Sequence, residues 1–162
     1  RIISIELFQN AEKILAYAPL GNEVDIRLVI EEGWKQNKHI AFPKVFGDTM
    51  KYFEISDFSE LEEGTFHVME PVRGSEKADP LQQPVIVPGS VFGRDGSRYG
   101  YGKGYYDRFF AKYPRLRRYA VCYEHQLEET LPTDQHDIYM HDIYTEREVI
   151  QCFWGSEALL ES

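Results

Sequence analysis

Between Arg98 and Asp107 the chain reads Arg-Tyr-Gly-Tyr-Gly-Lys-Gly-Tyr-Tyr-Asp. Three glycines alternate with Tyr101 and Lys103, two tyrosines follow, and an acid closes the run. Gly100, Gly102 and Gly104 carry no Cβ, so a ligand can approach the backbone closely. They also reach positive φ, which lets successive N–H groups converge on one anion. Arg98 and Lys103 add charge of two kinds, a planar fork and a mobile point charge, both suited to phosphate oxygens. The chemistry these residues fit is the holding and neutralising of a phosphate group. The run is not a Walker A loop, because Gly104 stands where Ser or Thr must follow Lys103. Nor is it a dinucleotide fingerprint, because Tyr105 occupies the third glycine position. The competing reading is a glycine-rich hairpin or a flexible surface loop.

A phosphate cradle needs elements to carry it. Pro84 to Pro88 is a nearly continuous apolar strand stopped by Gly89, and a helix is predicted from about Tyr105, with Phe109 and Phe110 facing inward. That order puts the glycine run between a strand end and a helix start. There, free N–H groups and the positive end of the helix dipole favour anions. Further strands are predicted at 13–19, 39–45, 50–55, 118–124 and around 148–153, with Pro43 closing the second. A helix is predicted over 22–37, with Asn22 as N-cap and Val24, Leu28 and Val29 near one face. The stretch from Asp57 reads as a short helical turn stopped by Gly64, and residues 71–84 read as a loop. Strands alternating with helices predict an α/β fold: a Rossmann-like, three-layer α/β/α arrangement with a mostly parallel central sheet, in one domain over residues 1–162.

Composition narrows the partners. The chain has 162 residues and a net charge of −9, which argues against a general binder of nucleic acid or of anionic membranes. An anionic ligand must therefore be gripped by a local basic cluster. Cys122 and Cys152 show no metal or redox spacing and read as buried free thiols. No apolar run approaches the ~18 residues of a membrane span, and no signal peptide is visible. The cytoplasm is the expected compartment.

The run from Val87 to Phe110, VPGSVFGRDGSRYGYGKGYYDRFF, resembles the signature of the 5-formyltetrahydrofolate cyclo-ligase family, also called methenyltetrahydrofolate synthetases. The segment 17–25 (YAPLGNEVD), the dipeptide Glu70-Pro71, and the segments 121–126 (VCYEHQ) and 136–146 (opening HDIYM) are similar to the family elsewhere, so the resemblance covers nearly the whole chain. It implies a ring closure that consumes ATP with Mg²⁺: 5-formyltetrahydrofolate becomes 5,10-methenyltetrahydrofolate, with ADP and phosphate released. The formyl oxygen attacks the γ-phosphoryl group, nitrogen-10 captures the activated imidate, and phosphate leaves.

By that resemblance Arg98, Gly100, Gly102, Lys103, Gly104, Tyr105 and Tyr106 form the ATP loop, with Arg98, Lys103 and Tyr106 in catalytic roles. Glu23, Met50, Tyr101 and Tyr105 would face the folate. Asp107 and Asp137 would hold Mg²⁺, a hard cation that prefers carboxylate and phosphate oxygens. Each has a plainer reading beside it: Asp107 as a first-turn acid, Asp137 as a loop acid, Glu23 as a helix-start acid, Met50 as core. The implied partners are ATP and one small folate, with no nucleic acid and no membrane, acting on a monomer. Two departures stand out. The family's opening helix, with its Lys and Arg, has no match at the start of this sequence. His141 stands where the family often has Asp, and a neutral His there would weaken a carboxylate cluster. The alternatives are a paralogue that binds nucleotide or folate with weak or no turnover, an enzyme acting on another N-acyl or carboxylate substrate, and a sugar-phosphate isomerase.

Overall fold

The computed structural model describes residues 6–21, 23–64, 67–72, 76–77, 84–100, 104–132 and 138–152. Its helices are α1 (Glu6–Asn10), α2 (Arg27–Lys35) and α3 (Tyr105–Lys112). Its first strands are β1 (Lys13–Leu15), β2 (His39–Phe46), β3 (Thr49–Ile55), β4 (Leu61–Glu63), β5 (Met69–Pro71) and β6 (Glu76–Lys77). Then come β7 (Pro84–Val87), β8 (Val91–Gly93), β9 (Arg98–Tyr99), β10 (Arg117–Val121), β11 (Leu127–Glu128), β12 (Asp142–Tyr144) and β13 (Val149–Gln151).

Eight strands form the main sheet in the order β13-β12-β10-β7-β1-β2-β3-β6. The five from β12 to β2 run parallel, β13 and β3 run against them, and β6 pairs antiparallel with β3. The sheet is mostly parallel, as predicted, but its margins are not. Central β7 is Pro-Val-Ile-Val with every residue buried, because a parallel strand is covered on both faces.

The period of two sorts the core. Leu15, Ala41, Val85, Val87 and Ala120 turn to one face, where Phe109 and Phe110 of α3 cover them. Ile14, Ile40, Phe42, Ile86, Tyr119 and Val121 turn to the other, against Phe8 of α1 and Ile30 of α2. Burying each large side chain contributes about 1.5–3 kcal/mol. Cys122 and Cys152 are buried free thiols, and burial pushes both up to about 12.

Helix α2 differs from its prediction. It begins at Arg27, with Ile26 as its cap residue, so Asn22, itself outside the described residues, is not the N-cap. Asp25 does that work: its Oδ1 accepts the Arg27 N–H at 3.0 Å. The inward residues are Ile30 and Gly33, and Leu28 is 77% exposed, because the later start rotates the buried stripe. Asn37, at φ +62°, ends the helix. The Lys38 N–H returns to Gly33 O at 2.9 Å, closing a Schellman motif.

Pro43 does not close β2, which runs on to Phe46. Two residues later the Val45 N–H points away from β3, to Glu70 Oε2 at 2.9 Å. Nitrogens two apart point the same way, so the missing N–H of Pro43 costs no bond to β3. The buried Glu70 covers that open edge. The helical turn after Asp57 is a 3₁₀ turn over Phe58–Glu60 that passes into β4. The segment read as a loop contains β6, and β12 is a strand the sequence reading did not resolve. Among the described residues no helix is long and apolar enough to cross a membrane.

Candidate active site

The C-terminal ends of β7 and β1, neighbours in the sheet, carry the two halves of the site. After β7 the chain turns through Pro88 and Gly89 into a hairpin in which Val91 pairs with Tyr99 and Phe92 with Arg98. Arg98 therefore sits on a short strand, not in a free loop. The hairpin and the cradle are compatible readings, since the hairpin delivers Arg98 to the sheet end. Its turn is braced by Asp95 Oδ1, which accepts the Ser97 N–H at 3.0 Å. Its base is braced by Gln126, whose amide donates to Gly89 O and Ser90 O at 3.0 and 3.1 Å.

Arg98 is held tightly. Its Nε donates to Pro88 O at 2.7 Å, and its guanidinium carbon lies 4.7 Å from the centre of the Tyr106 ring. Gly100 packs against the same group: a Cβ there would lie 3.0 Å from Nη2 and 3.1 Å from Nη1. The missing side chain leaves the guanidinium its position. Gly104 takes φ +70°, left-handed, as the cap residue of α3, so a second predicted glycine is required by its backbone.

The start of α3 is tied to the β2–β3 turn. Tyr105 Oη donates to Gly47 O at 3.1 Å, and Arg108 Nε to Asp48 O at 2.8 Å. Tyr106 turns inward; burial raises its phenol well above the ordinary value, partly offset by Arg98. Beside it stands Tyr52 of β3, fully buried, with its ring 5.0 Å from Phe109. Burial and then the Tyr106 phenol raise Tyr52 as well. Yet its hydroxyl meets no partner at bonding geometry among the described residues. Asp107 lies in the first turn of α3, partly buried.

The second half lies beyond β1. Tyr17 donates to Val24 O at 2.6 Å, and Glu23 Oε1 accepts the Leu20 N–H at 2.7 Å. These bonds shape a cleft of about 480 Å³ lined by Tyr17, Pro19, Glu23, Arg27, Phe42 and Phe58 among others. That volume falls within the roughly 300–1,000 Å³ of small-molecule sites. The halves communicate through charge: after burial, Glu23 is the largest influence raising Tyr17, and it also raises Tyr106.

The structure thus gathers Glu23, Arg98, Gly100, Gly104, Tyr105, Tyr106 and Asp107 around adjacent strand ends. Tyr101, Gly102, Lys103 and Asp137 lie outside the described residues. Met50 is buried in the core on the α3 face and does not line the Glu23 cleft. Among the described residues His141 belongs to no carboxylate cluster. It is buried, and its Nδ1 accepts the Arg118 N–H at 2.9 Å. Burial, then Arg118 and Arg117, lower it to about 3. Tyr17, Tyr52, Arg27 and Gln126 are absent from the sequence-based set. Tyr52 shares its strand face with Met50, and that alternation was its only signal.

A mostly parallel α/β sheet with a glycine hairpin, a stacked arginine and an acid-lined cleft at neighbouring strand ends defines a small-molecule enzyme of the anion-handling kind. The chain belongs to the 5-formyltetrahydrofolate cyclo-ligase family, whose model matches residues 1–146. The 5-formyltetrahydrofolate cyclo-ligase of Mus musculus is 23% identical over 160 residues, covering 90% of this chain and 79% of the mouse protein. That of Haemophilus influenzae is 27% identical over 142 residues, covering 83% and 76%. Among solved structures, the 5,10-methenyltetrahydrofolate synthetase of Aquifex aeolicus superposes with a TM-score of 0.81 at 33% identity, over 94% of this chain and 77% of that one. The Mycoplasma pneumoniae synthetase, at 22% identity and a TM-score of 0.65, shares the fold over 83% and 73%.

Proposed function

We propose that this chain closes 5-formyltetrahydrofolate to 5,10-methenyltetrahydrofolate at the expense of ATP, with Mg²⁺. The observation that carries the reading is the family match across residues 1–146, supported by Glu23 following β1 and Arg98 following β7, two strands that pair in the sheet. The folate ring enters that cleft, where the Glu23 carboxylate accepts hydrogen bonds from pterin N–H donors and Tyr17 and Phe42 pack its faces. The nucleotide phosphates lie along the hairpin and the start of α3. The residues fit such a group: Gly100 makes room for the Arg98 guanidinium beside it, Gly104 opens α3 in the left-handed conformation, and Arg98 offers a fork already fixed by Pro88 O and Tyr106.

ATP supplies the phosphoryl group that turns a poor amide leaving oxygen into a good one. Arg98 and Lys103 neutralise charge as the formyl oxygen attacks, and Tyr106 keeps Arg98 aimed. Nitrogen-10 then bonds to the formyl carbon and gives up its proton, and the carbon–oxygen bond breaks as phosphate departs with the former formyl oxygen. Asp107 and Asp137 would be carboxylate ligands of Mg²⁺, which takes one or two carboxylates with substrate phosphates and water. In this reading Tyr101 and Tyr105 would face the folate, and Met50 would back it from the core. Helix packing on both sheet faces supports the three-layer, Rossmann-like reading of one domain. We place the protein in the cytoplasm as a monomer.

The test is turnover. Mixing purified protein with 5-formyltetrahydrofolate, ATP and Mg²⁺ should generate the near-ultraviolet absorbance of the methenyl product, and omitting ATP should abolish it. Saturable binding of both ligands with no absorbance change identifies a binding paralogue instead.

A further inference from the structure

Among the described residues one cation lines the Glu23 cleft. Glu23 and Asp25 are the acids there, and Arg27 is the base. Its geometry is unusual for a surface arginine. Nε meets Asp25 Oδ1 and Oδ2 at 3.0 and 2.9 Å, and Nη2 meets Oδ2 at 2.6 Å. Asp25 is itself anchored by the Arg27 N–H. Starting α2 requires only that backbone bond, so the side-chain fork adds nothing to the cap. Nη1 makes no bond among the described residues, and the Arg27 side chain is 65% exposed. The hydrogen bond to Arg27 holds the Asp25 carboxyl below its usual range, and the same contact raises Arg27. The result is a permanent cation, aimed by a neighbour, with one donor edge open at the mouth of the cleft.

Folates have an acidic end. Beyond the pterin and the aminobenzoyl ring comes glutamate, often several joined in a chain. A protein of net charge −9 repels that tail unless it meets it with a placed cation. Glu23 is partly buried and close enough to act on Tyr17 and Tyr106, whereas the Arg27 side chain is mostly exposed. We infer that Arg27 reads the glutamate tail: with the pterin at Glu23, its free Nη1 edge takes a tail carboxylate and gives the enzyme its preference for glutamylated substrate. The inference rests on the cleft being the folate site.

Three substrates separate the two claims: the monoglutamate, the γ-linked triglutamate, and a tail-less neutral benzamide of the 5-formyltetrahydropteroyl unit. Arg27→Ala should raise KM for both glutamylated substrates roughly two- to five-fold, the range of an exposed ion pair, with kcat held. The KM ratio between the benzamide and the triglutamate should collapse toward one, and Arg27→Glu should invert it. Added salt should erase the preference in the parent protein and change little in the variants. Equilibrium binding of the same three compounds without ATP gives a second readout. The tail assignment is overturned if Arg27→Ala shifts all three KM values equally, or none. Glu23→Gln tests the cleft itself and should weaken all three, the benzamide included. If it spares all three, the cleft reading fails whatever Arg27 does.

Discussion

Arg98 is the residue on which most of the proposed chemistry depends, and two substitutions test it from opposite sides. Arg98→Ala removes the fork. Losing a donor that acts on transition-state charge costs roughly 2.7–4 kcal/mol, about 10²–10³-fold in kcat. Gly100→Ala leaves the arginine in place but puts a methyl group about 3.0 Å from its Nη2. Gly100 has no positive φ, so this change displaces a side chain without straining the backbone. Its kcat should fall in the same direction with little movement in melting temperature; near-normal rates in both variants would remove Arg98 from the site. Arg98 is legible in the sequence because its neighbours in space, Gly100 and Tyr106, are also its neighbours along the chain. Tyr52 is not, because its position beside Tyr106 depends on β3 packing on α3, a third of the chain away. His141 shows the limit of analogy. A position expected among carboxylates holds a buried imidazole that accepts a backbone N–H. With its folded value near 3 against an ordinary 6.5, it stays neutral while the unfolded chain takes up a proton. Its contribution is complete above about pH 6.5 and drains away as pH falls toward 3, at up to about 1.4 kcal/mol per pH unit. His141→Asn keeps an acceptor for the Arg118 N–H but cannot titrate. Urea midpoints at pH 7 and pH 5 should differ less for it than for the parent.

Helix α3 is the element on which the site turns. It starts from a left-handed glycine, buries Phe109 and Phe110, and reaches across to the β2–β3 turn through Tyr105 and Arg108. Gly104→Ala should therefore be costly twice. The left-handed conformation costs an L-residue about 1–2 kcal/mol, and the new Cβ would stand 2.9 Å from Arg108 Nη1. A melting temperature lower by about 2–8 °C is expected, with faster amide exchange around Gly47 and Asp48 as Arg108 is displaced. Gly104→Asn should be milder, since asparagine tolerates this region better. An unchanged melting curve for the alanine variant would mean that the helix start relaxes without cost. The limits of α3 are readable because glycine, an acid in the first turn and paired aromatics lie within ten residues. Those of α2 are not. Asn22 and Asp25 are both good caps, and nothing local says that the carboxylate of Asp25, held by Arg27, wins.

For the molecule as a whole, the parallel sheet is legible from apolar strands alternating with helices, while its antiparallel margins are not. Short edge strands such as β6 and β13 carry few residues and take their direction from partners far off in sequence. At this scale ligand occupancy is the natural probe. Mg-ATP at about one hundred times its Kd should add about 2.7 kcal/mol, or about 5–11 °C in melting temperature. Arg98→Ala should blunt that shift, and no shift at millimolar Mg-ATP would remove the nucleotide from the proposal. The central place of β1 has a further consequence. One flank of β1 pairs with β2 soon after it, but Leu15 on the other flank waits for Val85, 70 residues further on. At ~5–20 residues per second, translation leaves that edge open for roughly 4–14 s on every emerging chain. During that interval the Ile14–Leu15 edge is an unpaired apolar strand edge, the kind of surface prone to aggregation. The pace of decoding between Phe42 and Pro84 then governs how many copies reach the soluble pool. Slow synonymous codons placed there should lower the yield of active protein while leaving each finished molecule identical.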